Sequence, residues 1–357
     1  MIIKDISFEK LSLPLISEFH VAFGTISSTT SIIVKISTDT GLVGFGEAAP
    51  LEFVTGENCD TVICALSIFR NALIGMDIMN IEGIHEVMDS LIAHNTSAKC
   101  AIDIAIYDLQ GKSAGLPLYK LLGGYSNCVQ SDITIGINEI DQMVAEAIEH
   151  CRKGFRILKI KAGINVMHDV EAVARIREAV GPDCRLRIDA NQGYRVADGI
   201  YAAKHMEKYH VEAIEQCLPA WDIEGHARIR QQAEGVRIML DESVHSPYDA
   251  FKIASCGAGD ILNIKLMKCG GLYPALKINA IAESAGMKCM VGCMMETKLA
   301  ITAALSLVAA KKNITEADCD SCLFFKDPEM GMPGGYTMDR DIFTLTEEPG
   351  LGLQINM

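Results

Sequence analysis

Asp189, Glu215 and Asp241 follow one another at intervals of 26 residues, and each closes a short apolar run: LRIDA, EAIEQ and IMLDE. That interval matches one strand plus one helix of an α/β barrel, so the three carboxylates are expected at equivalent strand ends, which converge on one mouth. Acids gathered in such a place repel one another unless a cation lies between them. An all-oxygen donor set suits a hard divalent ion, Mg2+ before Mn2+. Helix capping accounts for one such acid, but poorly for three at even spacing.

Lysines close the same kind of run on either side. Lys159 and Lys161 (LKIKAG) lie two apart, so one face of a strand carries both, and in a closed barrel that face is the interior. Neighbouring ammonium groups repel, which is expected to lower the proton affinity of at least one and fit it for general-base work. Two solvent-facing lysines on an edge strand are the competing reading, which the acids on the following runs disfavour. Lys265 (LNIKL) ends the sixth run, across the mouth from the second. A base on one side and an acid on the other take a proton from one face of a carbon and return one to the opposite face, as a racemase or epimerase requires. A metal on the substrate's carboxylate would stabilise the enediolate between the two steps. Lys268, three residues on, reads as a bystander. Asp318 and Asp320 form a second i, i+2 pair on the last strand, with Cys319 facing outward between them. Two inward carboxylates distant from the metal would hold a substrate ammonium; a surface acidic turn is the alternative.

The elements that must position these groups read as apolar strands alternating with amphipathic helices: SDITIG, ILKIKA, RLRIDA, EAIEQ, RIMLDE, ILNIKL, KCMVGC and EADCD. Eight strands with intervening helices predict an α/β fold, a (β/α)7β TIM-like barrel over residues 125–323. An open doubly wound sheet competes, but no G-x-G-x-x-G follows the first strand. Residues 1–124 read as an α+β capping domain. SIIVKIST and LVGFGEA around DTG form a hairpin; helical patterns run over 59–70 and through CAIDIAIYDLQGKSA, with Ile102, Ile104, Ala105 and Leu109 on one face; Gly123 and Gly124 end the segment. The turn-rich tail, 324–357, is expected to return to the capping domain.

With 49% hydrophobic and 22% charged residues the chain can bury a large core, and its net charge of −14 argues against nonspecific binding to nucleic acid or to an anionic membrane surface. Its 13 cysteines are odd in number and scattered, so reduced thiols in a cytoplasm are expected rather than a disulfide framework. Cys319 and Cys322 form the one C-x-x-C, with no second pair or neighbouring histidine to make a zinc site. The apolar stretch over 299–310 is too short to span a bilayer and fits a buried barrel helix.

KIK, DANQGY, EQ, DES and NIKLMKCGG together resemble the signatures of the enolase superfamily, muconate-lactonizing subgroup, over essentially the whole chain. That family pairs Lys or His bases with Mg2+ and an enediolate. KCMVGC holds no histidine, which sets the chain apart from the His-based racemases. The DCD of Asp318 and Asp320 is similar to the D-x-D with which dipeptide epimerases grip a free amino terminus; o-succinylbenzoate synthases and muconate cycloisomerases handle substrates with no ammonium there. The resemblance implies a dipeptide epimerase. Lys161 and Lys265 would be the acid/base pair, with Lys159 supporting Lys161 and the substrate carboxylate. Thr134, Cys293 and Met295 would line the dipeptide site, and the enzyme would be a homo-oligomer. L-Ala-D/L-Glu epimerases of this group carry an arginine in the loop after the first strand, where FHVAFGTI has Gly24. Together with Phe19, Phe23 and Phe53, that departure implies a neutral or hydrophobic second residue; Glu18 or Glu52 would instead receive a cationic one.

Overall fold

The computed structural model describes residues 1–16 and 28–356. Of residues 17–27 only the course of two strands is described, and 22, 23 and 357 lie outside the described residues. Eight parallel strands neighbour one another in chain order: β5 (Ile133–Ile135), β6 (Ile157–Lys161), β7 (Arg185–Asp189), β8 (Val211–Glu215), β9 (Arg237–Leu240), β10 (Ile261–Ile264), β11 (Lys288–Gly292) and β12 (Ile314–Asp318). These runs are apolar on both faces because helices cover the outside and side chains fill the inside. The inner residues alternate as a pleat demands, and Ala213, Met239, Ile261 and Met290 make an apolar cluster of their own. Between β12 and β5 the barrel closes through the Cys319 N–H on Ser131 Oγ at 2.8 Å. Arg187, inside, spans the same seam, with Nη1 at 3.0 Å from Asp132 and Nη2 at 3.1 Å from Glu316.

Before the barrel, β1 (Ile3–Val21), β2 (Gly24–Thr38) and β3 (Val43–Ala48) form an antiparallel sheet, with the expected SIIVKIST–LVGFGEA hairpin pairing Ile32 to Ala48 and Ser37 to Val43. Five helices follow: α1 (Glu52–Thr55), α2 (Cys59–Leu73), α3 (Ile81–Leu91), α4 (Thr96–Ala114) and α5 (Leu118–Leu122), and then the short β4 (Cys128–Gln130). The single apolar face expected for α4 is corrected: Ser97 to Gly111 are buried all round, because the helix lies between the sheet and the barrel helices. The barrel helices are α6 (Ile140–Arg152), α7 (Val166–Val180), α8 (Val196–Met206), α9 (Ile223–Gln232), α10 (Pro247–Cys256), the one-turn α11 (Leu266–Cys269), α12 (Leu272–Ser284) and α13 (Lys298–Ala310). The last of these is buried throughout, as its composition suggests. In the tail, β13 (Tyr336–Asp339) pairs with β14 (Ile342–Leu345) and β14 with β4, and Gly350 bonds to Leu116 and Leu118 beside α4. Among the described residues no helix is long and apolar enough to cross a membrane.

Candidate active site

Lys159, Lys161, Asp189, Glu215, Asp241, Lys265 and Asp318 lie in or just past the C-terminal half of a barrel strand, buried or nearly so. Lys159 sits at the centre. Its ammonium lies 2.7 Å from Asp318, 2.9 Å from Glu215 and 3.0 Å from Asp189, with the side chain only 2% exposed. The loss of proton affinity expected of at least one lysine in this pair does not fall on Lys159. Burial alone would lower it, but the three carboxylates outweigh burial and hold the Lys159 proton well above the ordinary lysine range. Lys161 meets the same Asp189 oxygen, Oδ2, at 2.7 Å, and donates to Asn191 Oδ1 at 3.0 Å.

Across the barrel, Lys265 follows β10 and meets Asp241 Oδ2 at 2.7 Å. Burial lowers and Asp241 raises its proton affinity, and Asp241 wins. β6 and β10 are four strands apart among eight, so the two lysines approach the mouth from opposite walls. Gly292 on β11 makes room for Lys265: a Cβ there would stand 2.7 Å from Asn263 Oδ1 and 3.2 Å from Lys265 Cε.

Lys268 is no bystander. It is fully buried, and its ammonium lies 2.5 Å from Asp241 Oδ1, 3.2 Å from the Asn263 carbonyl and in contact with the Asp241 carbonyl. The α11 turn folds it back under the strand end, which spacing alone does not reveal. Asn191, Glu242 and Asn263 were also missed. Asn191 Nδ2 donates to Glu242 at 3.3 Å, and Asn263 Nδ2 donates to Glu215 at 2.5 Å. Their signal was present in DANQGY, DES and NIK, beside each charged residue.

Asp189, Glu215 and Asp241 are 0%, 3% and 1% exposed. Their carboxylates are drawn onto lysines, yet they also repel each other: burial first and then the Asp189 charge push Glu215 up to about 7. Among the described residues, Asp189, Glu215 and Asp241 do not each bring an oxygen within 4.8 Å of the others, whereas Cys293, Asp318 and Asp320 bring their ligand atoms that close.

That second acidic pair is closer to the first three acids than its spacing suggests, because Lys159 bridges Asp318 to Asp189 and Glu215. β12 ends at Asp318; Asp320 lies in the turn beyond, where its Oδ2 accepts the Thr134 N–H at 2.8 Å and Cys293 Sγ stands 3.9 Å from Oδ1. Burial and the neighbouring Asp318 raise Asp320 to about 6, a deficit of positive charge that an ammonium would fill. Cys319 faces away from the barrel axis and is buried against the Val291 carbonyl.

Met295 is buried and helps line a cavity of about 470 Å3 with Lys10, Ser28, Thr30, Glu52 and Asp60. Lys10 and Asp60 pair at 2.9 Å, so those two charges offset one another. Phe53 is exposed on α1, beside Glu52. Phe23 lies outside the described residues, and of Glu18, Phe19 and Gly24 only the strand course is described.

An eight-stranded parallel barrel beneath a strand-and-helix unit, with lysines and carboxylates meeting at its mouth, defines an enzyme of the enolase type. Residues 9–123 match the N-terminal domain of mandelate racemase / muconate lactonizing enzyme, and 142–357 match the enolase C-terminal domain-like family. The chain belongs to the enolase superfamily, in its mandelate racemase / muconate lactonizing branch.

It is 45% identical to the hydrophobic dipeptide epimerase of Enterococcus faecalis and 43% identical to the L-Ala-D/L-Glu epimerase of Clostridium acetobutylicum, over 99% of both chains in each case. The Enterococcus faecalis V583 dipeptide epimerase complexed with Mg and L-Leu-L-Tyr superposes with a TM-score of 0.96 at 45% identity, covering 99% of this chain and 100% of that one. These relatives are isomerases by name, and the chain is an isomerase.

Proposed function

We propose that this chain is a Mg2+-dependent dipeptide epimerase that inverts the α-carbon of the C-terminal residue of L,L-dipeptides, with a neutral or hydrophobic residue in that position. The observation carrying this reading is the opposition of Lys161 and Lys265 across the mouth, with buried carboxylates between them. One lysine takes the α-proton from its face of the substrate, and the other returns a proton to the opposite face. Lys159 bears on the substrate's carboxylate from beside Lys161. Asp318 and Asp320 receive the free ammonium, and Thr134, Cys293 and Met295 wall the site. No ammonium of this kind exists in the substrates of o-succinylbenzoate synthase or muconate cycloisomerase.

Asp189, Glu215 and Asp241 would hold the metal. Their fit is supported by an all-oxygen donor set, exposure of 3% or less, and the burial and neighbouring Asp189 charge that together raise Glu215. When bound, Mg2+ supplies a fixed positive charge for the negative charge that develops on the substrate's carboxylate. The side-chain preference is supported by the Enterococcus faecalis relative, named for hydrophobic dipeptides, and by the Lys10–Asp60 pair, which offsets two charges in the adjoining cavity. Glu52 lines that cavity too, so Lys- and Arg-terminated dipeptides belong in the test.

The test is incubation of a dipeptide library with enzyme and Mg2+ in D2O, read by mass spectrometry. Deuterium should enter the C-terminal α-carbon, fastest for apolar second residues. A library with no exchange in the presence of Mg2+ removes the reading; exchange confined to Glu-terminated members removes the preference.

A further inference from the structure

We infer that Asp103, on α4, is a positioning residue for Lys265; the inference rests on the acid/base role proposed above for that lysine. Residues 261–272 are buried without a break, from β10 through Lys265, α11 and the two glycines to the first residue of α12. Within this segment the Lys265 carbonyl accepts the N–H groups of Lys268 and Cys269 at 3.0 and 3.1 Å. The Leu266 carbonyl accepts those of Gly270 and Gly271, both at 2.9 Å. The turn after the sixth strand is therefore one hydrogen-bonded unit, and moving its far end moves Lys265.

Asp103 holds that far end from outside the barrel. Its carboxylate is fully buried; Oδ1 accepts the Leu272 N–H at 2.5 Å, and Oδ2 accepts the Tyr273 N–H at 3.1 Å and lies 2.8 Å from His85 Nε2. Gly271 gives it access. The residue has φ +116°, and a Cβ there would stand 2.3 Å from Asp103 Cγ. The second glycine of CGG is thus the gap through which α4 reaches the catalytic turn. The loop after Lys161 is held by a different carboxylate, the buried Asp169, which accepts the Gly163 N–H at 3.0 Å, and Ile164 and Asn165 beyond it are exposed. Lys265 is fixed from two sides, by Lys268 beneath and Asp103 behind, and the Lys161 loop by Asp169, so Asp103 acts on one acid/base lysine and not on the other.

The asymmetry is measurable. Deuterium exchange at the α-carbon is followed in D2O separately from the L,L and the L,D dipeptide, and Lys265→Ala identifies the epimer whose exchange needs Lys265. Asp103→Asn should slow that exchange about tenfold or more and the opposite one less than about twofold, since a displacement near 1 Å costs up to about a hundredfold. Equal slowing of both, or of neither, overturns the inference. Should Asp103→Asn not fold, Gly271→Ala is read in the same way. Should the wild-type protein exchange no dipeptide, the dipeptide reading falls, and amide hydrogen exchange decides the positioning one. Faster exchange over 265–273 in the variant, with 157–163 unchanged, upholds it; unchanged exchange over 265–273 overturns it.

Discussion

Lys268→Met removes a buried charge while keeping most of the side chain's volume, and the outcome should depend on Mg2+. In the wild-type chain Lys268 is 0% exposed and shares Asp241 with Lys265, one ammonium on each carboxylate oxygen, at 2.5 and 2.7 Å. Breaking a buried ion pair by deleting one partner costs about 3 to 5 kcal/mol. Asp241 keeps Lys265, which places the loss at the lower end, about 3 kcal/mol, even with the Asp241 and Asn263 carbonyls losing a donor. For a chain of this size that corresponds to roughly 5 °C in melting temperature. The assay is thermal unfolding of both proteins with a chelator and again with saturating Mg2+. If Asp241 is a metal ligand, the bound ion supplies charge that Lys268 no longer does, so the variant binds it more tightly and the gap narrows by mass action. A gap of the same size in both conditions refutes metal ligation by Asp241. Melting like wild type in chelator refutes the charge pairing itself.

Gly292→Ala would crowd Asn263 and Lys265 Cε, and steady-state kinetics should show kcat lower by about tenfold to a hundredfold, since the displaced group is one of the two proposed acid/base lysines; unchanged kcat would show that the lysine has room to spare. Asp320→Asn removes one charge from the ammonium pair and should raise the dipeptide KM roughly thirtyfold, about 2 kcal/mol, with a much smaller effect on kcat. Turnover largely intact at low substrate would favour a lyase or cycloisomerase on this scaffold instead. Glu296, buried and facing the Glu47 charge, is pushed up to about 8 from 4.5. A carboxyl whose folded value is raised keeps its proton when the unfolded chain has lost it, so its contribution to stability falls as pH climbs through that interval. Glu296→Gln should therefore gain melting temperature relative to wild type between about pH 5 and pH 8, and parallel pH profiles would refute this.

How far the site could be read from the chain depended on where each residue stood relative to a strand. Lys159, Lys161, Asp189 and Glu215 lie within strands, where a period of two fixes the face, and Asp241 and Lys265 follow their strands by one residue. Those six needed only the repeat length and the pleat. Lys268 stands in the α11 turn and Asp320 in the turn after β12, where direction is set by backbone bonds that no spacing encodes. The direction of the Lys159 shift was missed for a related reason. Counting ammonium neighbours along one strand ignores the acids that β7, β8 and β12 bring against Lys159. The same limit explains α4, whose polar residues looked like an outer face. Asp103 and Asp108 are instead turned onto backbone N–H groups far away in the chain, those of Leu272, Tyr273, Phe45 and Leu351. A carboxylate satisfied by amides more than 60 positions away looks, in one dimension, identical to one facing water. Legibility therefore ends where a charge finds its partner through a turn or on the backbone of a distant element, as Lys268 and Asp103 do, and that is where the positioning of Lys265 lies.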